Sequence, residues 1–310
     1  MKRVGALVIA MALVAGAIFI RRALDDRNVG SSTSSSDSRA TLLCAPEVAD
    51  ACRRLANTDV TEEEPGTTEA RLHAGGKLGA DGWVVSQPWP TFVDRRDISP
   101  VLASSPIVAV MKSERATKLA AACGGTIAWR CIGDHVGQMW SSFGGDPSWG
   151  EFKVGHDTTD TTDGFLSVVS ATNGWFGNAD YASNDFTDDP DFQPWFARLE
   201  QSVEGAAPTT AISPIDLFAA TPSAYSVVTT LESSVPSSIS SNPSFRIIPL
   251  APTVRADVVL VAGADRFDLG ELSGALSRTG WGRASAPTTS GLPNTGVMVA
   301  LRSLQSSLTK

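Results

Sequence analysis

Five segments between residues 40 and 86 alternate strand-like with helix-like patterns, and that order constrains the fold more than any other feature. Residues 40–45 form an apolar run that ends at Pro46. Residues 46–55 set Val48, Ala51, Cys52 and Leu55 on one helical face, with Pro46 in the first turn, where no N–H is needed. A second short strand falls within 59–64, a second helix over 67–75 and a third strand over 81–86. The third strand ends in the polar and aromatic loop Gln87, Pro88, Trp89, Pro90. Strands separated by helices cannot close as tight hairpins, so this order predicts an α/β fold with a parallel sheet and covering helices.

The later chain continues the mixture. A long strand is expected over 104–111 and a helix over 112–122. A short element follows over 126–130, then a helix over 135–142. Residues 180–191 are acidic and turn-rich. Residues 192–203 repeat Phe192, Trp195, Phe196 and Leu199 at i, i+3, i+4 and i+7, an amphipathic helix with Pro194 in its first turn. Helices are expected over 215–220 and from 221 to 231. Then come a Ser/Pro loop over 233–242 and strands over 245–250 and 257–261. The tail reads as a helix over 269–276, a Gly/Ser/Pro-rich loop over 279–295 and a closing helix over 297–306.

Residues 152–166 are the most suggestive stretch for function. Phe152, Lys153 and Val154 read as a strand, broken at Gly155 into a loop of Asp and Thr. Gly164 restarts an apolar run that reads as a helix over 164–174, with Thr161, Thr162 and Asp163 at capping positions. A helix N-terminus carries partial positive charge and unsatisfied N–H groups, so strand–polar loop–helix can receive an anion or a polar ligand. Simple capping is the competing reading. The spacing of Asp157, Asp160 and Asp163 also invites calcium, but it lacks the Asp-x-Asp-x-Asp-Gly order and terminal Glu of a calcium loop, and no metal is assigned.

The N-terminus and the cysteines bear on compartment. Lys2 and Arg3 precede an uncharged apolar run over 5–20, and Arg21 and Arg22 follow. The run is a signal peptide or a single membrane anchor. Cleavage near 15–17 would leave Ile18, Phe19 and Ile20 at the mature end, so the uncleaved anchor is preferred. This predicts a single-pass cell-membrane protein with its main domain outside the cytoplasm. Residues 1–27 are thus the anchor or signal segment and 28–39 a flexible polar linker. The chain has four cysteines, Cys44, Cys52, Cys123 and Cys131. An even count behind an export signal points to two disulfides, though four cysteines allow three pairings. Zinc is disfavoured because no CxxC occurs and the three histidines are scattered. The chain is acidic, with 33 Asp and Glu against 25 Lys and Arg. Setting residues 1–27 aside removes five of the basic residues and two of the acidic ones. Such a surface repels nucleic acid.

The order and spacing of several short motifs resemble the type II periplasmic (extracellular) solute-binding proteins, near the molybdate-type branch in its actinobacterial exported form. Trp83, Val84, Val85 and Ser86 with Pro88 and Trp89 are similar to the end of that family's third strand. Ala103 to Val108 resembles its crossover strand, and Thr126 to Arg130 the short element after it. Val154, Gly155, His156 and Asp157 with Thr161 and Gly164 resemble its Gly-His-Asp loop and helix start, although Thr161 stands where the family has Ser and no Pro follows. Pro249 to Pro252 resembles the return crossover. The resemblance implies a two-lobed fold over 40–310, each lobe a mostly parallel sheet with flanking helices. Lobe 1 covers about 40–105 and 250–310, and lobe 2 about 106–249. The lobes imply the pairings Cys44–Cys52 and Cys123–Cys131.

In such a fold the ligand lies between lobes, at strand carboxyl ends and helix amino ends. The residues this implies are Pro46 and Glu47 after the first strand, Ser86, Gln87 and Trp89 after the third, and Ser104 and Ser105 at the crossover. Thr161, Thr162, Asp163, Gly164 and Tyr225 come from the second lobe. They imply capture of a small polar solute or oxyanion, with no cofactor, for an ABC-type permease. An envelope protein is the partner under the alternative, a non-transport interaction or cell-envelope module reusing the fold. Catalysis is not expected, since no Gly-x-Ser-x-Gly, His-Glu-x-x-His or phosphate loop occurs. Trp129, Trp140, Trp149, Trp175 and Trp195 are expected in the core rather than at a sugar site.

Overall fold

The computed structural model describes residues 39–206, 212–283 and 290–308. The anchor over 1–27 and all but residue 39 of the linker lie outside this range. Among the described residues no helix is long and apolar enough to cross a membrane.

The chain opens as its alternating pattern predicts. Strand β1 (Ala40–Cys44) leads into helix α1 (Pro46–Cys52), β2 (Thr58–Glu62), α2 (Pro65–His73) and β3 (Gly82–Ser86). β1 pairs in parallel with β2 on one side and β3 on the other. All five residues of β3 are buried, as an inner strand covered on both faces requires. A short helix, α3 (Trp89–Phe92), occupies the segment expected as a loop.

The ten-residue β4 (Ala103–Lys112) organises the rest. Its first half pairs with β8 (Arg255–Val261), which also pairs with β3. Its second half pairs with β6 (Val227–Leu231) and β7 (Phe245–Pro249), and β6 continues in parallel to the two-residue β5 (Val154–Gly155). A last short strand, β9 (Gly282–Arg283), also pairs with the start of β4. One long strand therefore serves two sheet regions, and every partner along β4 runs antiparallel. This corrects the expectation of mostly parallel sheets: among the described residues parallel pairing is confined to β1–β2, β1–β3 and β5–β6, because the returning strands run against β4 and β8 also runs against β3.

Three local expectations change. Residues 221–231 were expected to be helical, but their second half is strand β6. Val227, Val228, Thr229 and Thr230 are β-branched, and a position between β4 and β5 with every residue buried suits them better than a helix. The helix expected over 135–142 lies earlier, as α5 (Trp129–His135), and ends before Gly137, whose φ of 79° leaves the helical region. The strand over 245–250, read from sequence as the return to the first lobe, still pairs with the second half of β4 on the edge opposite β6, so the return toward the first sheet region falls between Pro249 and Arg255.

Helix α4 (Ser113–Ala122) follows β4. Helix α6 (Thr162–Phe176) runs through the interior, with twelve of its fifteen residues buried. Helices α7 (Asp185–Asp188), α8 (Phe192–Ala206), α9 (Pro214–Ala220), α10 (Ser237–Ser240), α11 (Leu269–Arg278) and α12 (Thr295–Leu308) complete the described elements. Trp129, Trp140 and Trp195 are buried in the core, Trp175 nearly so, and Trp149 packs against it. Cys44–Cys52 and Cys123–Cys131 form the two disulfides that the lobe assignment implied.

Candidate functional site

The loops at the carboxyl ends of β1, β2 and β5 converge on one cleft. Glu47 follows β1, Glu64 follows β2, and Asp157 follows β5, while Thr161, Thr162 and Asp163 open α6. Ser213, Pro214, Ile215 and Asp216 close it from the start of α9. Thr229, Thr230 and Ser234 close it from β6 and the turn after it. The cavity holds about 240 Å³, the size of a small solute.

The start of α6 is capped from within the chain. The Thr161 hydroxyl accepts from the Gly164 N–H at 3.0 Å and donates to the Thr158 carbonyl at 2.9 Å. A Cβ on Gly164 would lie 2.0 Å from that carbonyl, so the loop folds directly over this glycine and covers it. Thr161 and Gly164 therefore build the helix start, and the Gly164 N–H is already committed.

Thr162 and Asp163 tie the cleft walls together. The buried Trp89 donates from Nε1 to Thr162 Oγ1 at 3.0 Å, and Thr162 in turn hydrogen-bonds Glu47. Ser86 reaches the same Glu47 carboxylate at 3.4 Å. Asp163 accepts from the Leu231 N–H at 2.6 Å and the Ser234 hydroxyl at 3.1 Å, which fastens α6 to the end of β6.

Of the sequence-derived candidates, Pro46, Glu47, Thr161, Thr162 and Asp163 line the cleft. Ser86 and Trp89 stand one layer behind and touch lining side chains. Gly164, covered by its loop, and four others do not line it. Gln87 accepts from Thr91 within α3. Ser104 donates to Asp257 at 2.6 Å, where β4 meets β8. Ser105 accepts from the Ser233 N–H at 2.9 Å. Tyr225 is buried behind β5, with its carbonyl accepting from Arg115.

The sequence reading missed Glu64, Asp216, Thr229, Thr230 and Ser234, and it named Asp157 only for its calcium-like spacing and loop motif, not as a ligand contact. Glu62, Glu63 and Glu64 look alike as an acidic run. In the fold Glu62 pairs with Arg53 and Glu63 with Arg71, which leaves Glu64 turned to the cleft. A run whose first two members have cationic partners nearby in sequence was the available signal. Thr229 and Thr230 were hidden by the helix expected there.

The electrostatics are one-sided: five carboxylates line the cleft and, among the described residues, no Lys, Arg or His does. Burial, aided by Asp163 and Glu64, raises Glu47 to about 7 against the opposing hydrogen bond from Thr162. Burial and then Asp157, Glu62, Asp160 and Asp163 raise Glu64 to about 7. Burial raises Asp163 to about 6, opposed by its hydrogen bonds. Asp157 is also raised, first by burial. An oxyanion would enter a field of its own sign, so the expectation of oxyanion binding does not fit this cleft.

No protein-family model matches the chain, and no curated protein matches it. Solved structures do resemble it. A periplasmic thiamin binding protein superimposes with a TM-score of 0.56 at 10% identity, covering 90% of this chain and 98% of that one. The periplasmic binding protein AfuA from Actinobacillus pleuropneumoniae, with exogenous fructose-6-phosphate bound, superimposes with a TM-score of 0.52 at 11% identity, covering 87% of this chain and 96% of that one. The chain thus shares the overall fold of these two periplasmic binding proteins.

Proposed function

We propose that the chain is an extracytoplasmic solute-binding protein that captures a small polar ligand in the cleft between its two sheet regions. One observation carries this reading. The cleft is built by the carboxyl ends of parallel strands in both regions, β1 and β2 in one and β5 in the other. Loops at such ends are where open α/β sheets place ligands. Lobes of about 40–105 with 250–310, and 106–249, would then close on the ligand. Catalysis is not part of this reading.

The finer parts of the proposal rest on sequence. The apolar run over 5–20 tethers the domain to the membrane, the two disulfides suit an oxidising exterior, and an ABC-type permease is the partner a captured solute would be passed to. The tether predicts that the full chain sediments with membranes; a wholly released chain would count against it. The molybdate-type affinity rests on motif spacing alone, and its oxyanion chemistry is not carried over.

The test is a thermal-shift screen of the purified protein against amines, amino acids, sugars, oxyanions and divalent metals. A ligand at about 100 times its Kd adds about 2.7 kcal/mol of stability. A saturable upward shift that Glu47→Gln weakens is expected. A folded protein that responds to nothing would remove the solute-binding reading and favour the envelope-interaction module.

A further inference from the structure

Resting on the solute-binding reading, we propose that the cleft takes a small organic cation, with an ammonium or guanidinium group held by the carboxylates and a hydrogen-bonding group that reaches Thr229. Glu47, Glu64, Asp157, Asp163 and Asp216 face the same space from four segments of the chain. The internal segments outside the described residues, 207–211 and 284–289, contain no charged residue that could neutralise them. Clustered carboxylates, four of these five partly buried, repel one another, and a bound cation removes that repulsion.

Thr229 gives an independent indication of a ligand. It lines the cleft at 1% exposure, and its Oγ1 has no hydrogen-bond partner. A buried hydroxyl without a partner is costly unless something arrives to satisfy it. Glu64 Oε2, at another lining position, is likewise buried and unpartnered.

The geometry separates an organic cation from a metal ion. Ligands of one metal lie about 2 to 2.6 Å from it, so their donor atoms crowd within about 5 Å of one another. Among the described residues, the one set of three His, Cys, Asp or Glu ligand atoms within 4.8 Å is Cys123, Cys131 and His135, and its cysteines are bonded to each other. The cleft carboxylates do not converge in this way. Their charge is spread over a cavity of about 240 Å³, with Pro46, Pro214 and Ile215 offering apolar wall for methylene groups. That is the chemistry of an extended amine.

The experiment is calorimetric titration of the full chain with 1,4-diaminobutane, arginine and choline, and separately with calcium, sulfate, phosphate and glucose. Binding of at least one organic cation is expected, with the metal, the anions and glucose inert. Thr229→Val exchanges the unpartnered hydroxyl for a methyl group of the same shape. It should leave the melting midpoint unchanged or higher while weakening the bound cation about tenfold. Glu64→Gln should weaken it by about the same factor without lowering the midpoint. Binding of sulfate, phosphate, glucose or calcium with the amines inert overturns this inference and leaves the solute-binding reading standing. No binding by any probe to a folded protein overturns both. An amine whose affinity neither variant changes places its site elsewhere and overturns the assignment to this cleft.

Discussion

Trp89 Nε1 donates to Thr162 Oγ1 at 3.0 Å, joining α3 to the first turn of α6 across 73 residues of sequence. Both side chains are fully buried. The bond leaves the Thr162 hydroxyl proton free to point at Glu47, so Trp89 orients a group at the cleft wall without lining the cleft. Thr162→Val keeps the side-chain shape but strands a buried indole N–H, which costs about 1–3 kcal/mol. Thr162→Ser keeps the hydroxyl and is expected to lose less. Urea denaturation of the two variants checks this; equal midpoints would mean the hydrogen bond contributes nothing. Combining Thr162→Val with Trp89→Phe removes both partners and should cost less than the sum of the single changes.

The cleft carboxylates make the unliganded chain less stable as pH rises. Glu47 and Glu64 stand at about 7 and Asp163 at about 6 in the folded state, above their ordinary values of 4.5 and 3.8. The folded chain therefore holds protons that the unfolded chain has released, and stability falls as pH climbs from about 5 toward 7. Melting midpoints measured between pH 5 and 8 should decline, and Glu64→Gln should flatten the slope. A flat profile in the parent chain would show that these groups ionise freely.

The sequence reading reached the parts governed by local pattern. The alternation over 40–86 predicted β1 to β3 with their helices, and the polar run after Gly155 predicted the capped start of α6. Glu47 and Thr161 to Asp163 were legible because they sit at strand ends and helix starts, which sequence marks. Asp216 and Glu64 were not, because an acidic side chain looks solvated until its neighbours are known. Ser104 and Ser105 failed for the converse reason. Their hydroxyls are used up by Asp257 and the Ser233 N–H, partners distant in sequence. β6 falls in the segment expected as a helix from 221 to 231; its β-branched run suits a strand, and its burial between β4 and β5, which sequence does not display, decides the matter.

The two disulfides should separate stability from binding. Cys44 ends β1 and Cys52 ends α1, so their bond closes the segment that presents Pro46 and Glu47. Cys123–Cys131 joins the end of α4 to α5, and neither cysteine lines the cleft. Each closes a short loop, worth about 2.5 kcal/mol on the chain-entropy account. Replacing either pair with alanine should lower the melting midpoint by a similar amount. The Cys44/Cys52 replacement alone should also weaken ligand binding; equal affinity in both double variants would show that the loop holds its shape unaided.

Gly164 offers the sharpest steric test. A Cβ there would meet the Thr158 carbonyl at 2.0 Å and the Asp157 carbonyl at 2.3 Å, both backbone atoms that no rotamer change can move. Gly164→Ala must displace the loop that carries Asp157 into the cleft, at a cost of about 3 kcal/mol. Equilibrium unfolding would register this, and a near-neutral result would mean that the loop stands off the helix.

His156 lies beneath that loop in a buried pair with Glu200. Its Nε2 is 3.3 Å from Glu200 Oε1 and its Nδ1 2.7 Å from the Asp157 carbonyl, so both ring nitrogens face acceptors. A neutral imidazole can donate to only one of them, whereas the imidazolium serves both. Burial by itself would lower the His156 pKa. The Glu200 charge and hydrogen bond, with the Asp157 carbonyl, outweigh it and raise the pKa above the ordinary 6.5. The stabilisation is therefore fully present below about pH 6.5 and is lost as pH rises through the elevated folded value. Glu200→Gln removes the compensating charge and leaves a cation buried without its counterion, an error of about 3–5 kcal/mol unless the ring gives up its proton. NMR titration of the His156 ring should place the parent above 6.5 and the Glu200→Gln variant below it. A parent ring that is neutral at pH 6 would show that burial wins, and the loop bearing Asp157 would then be held by one hydrogen bond from the ring rather than by an ion pair.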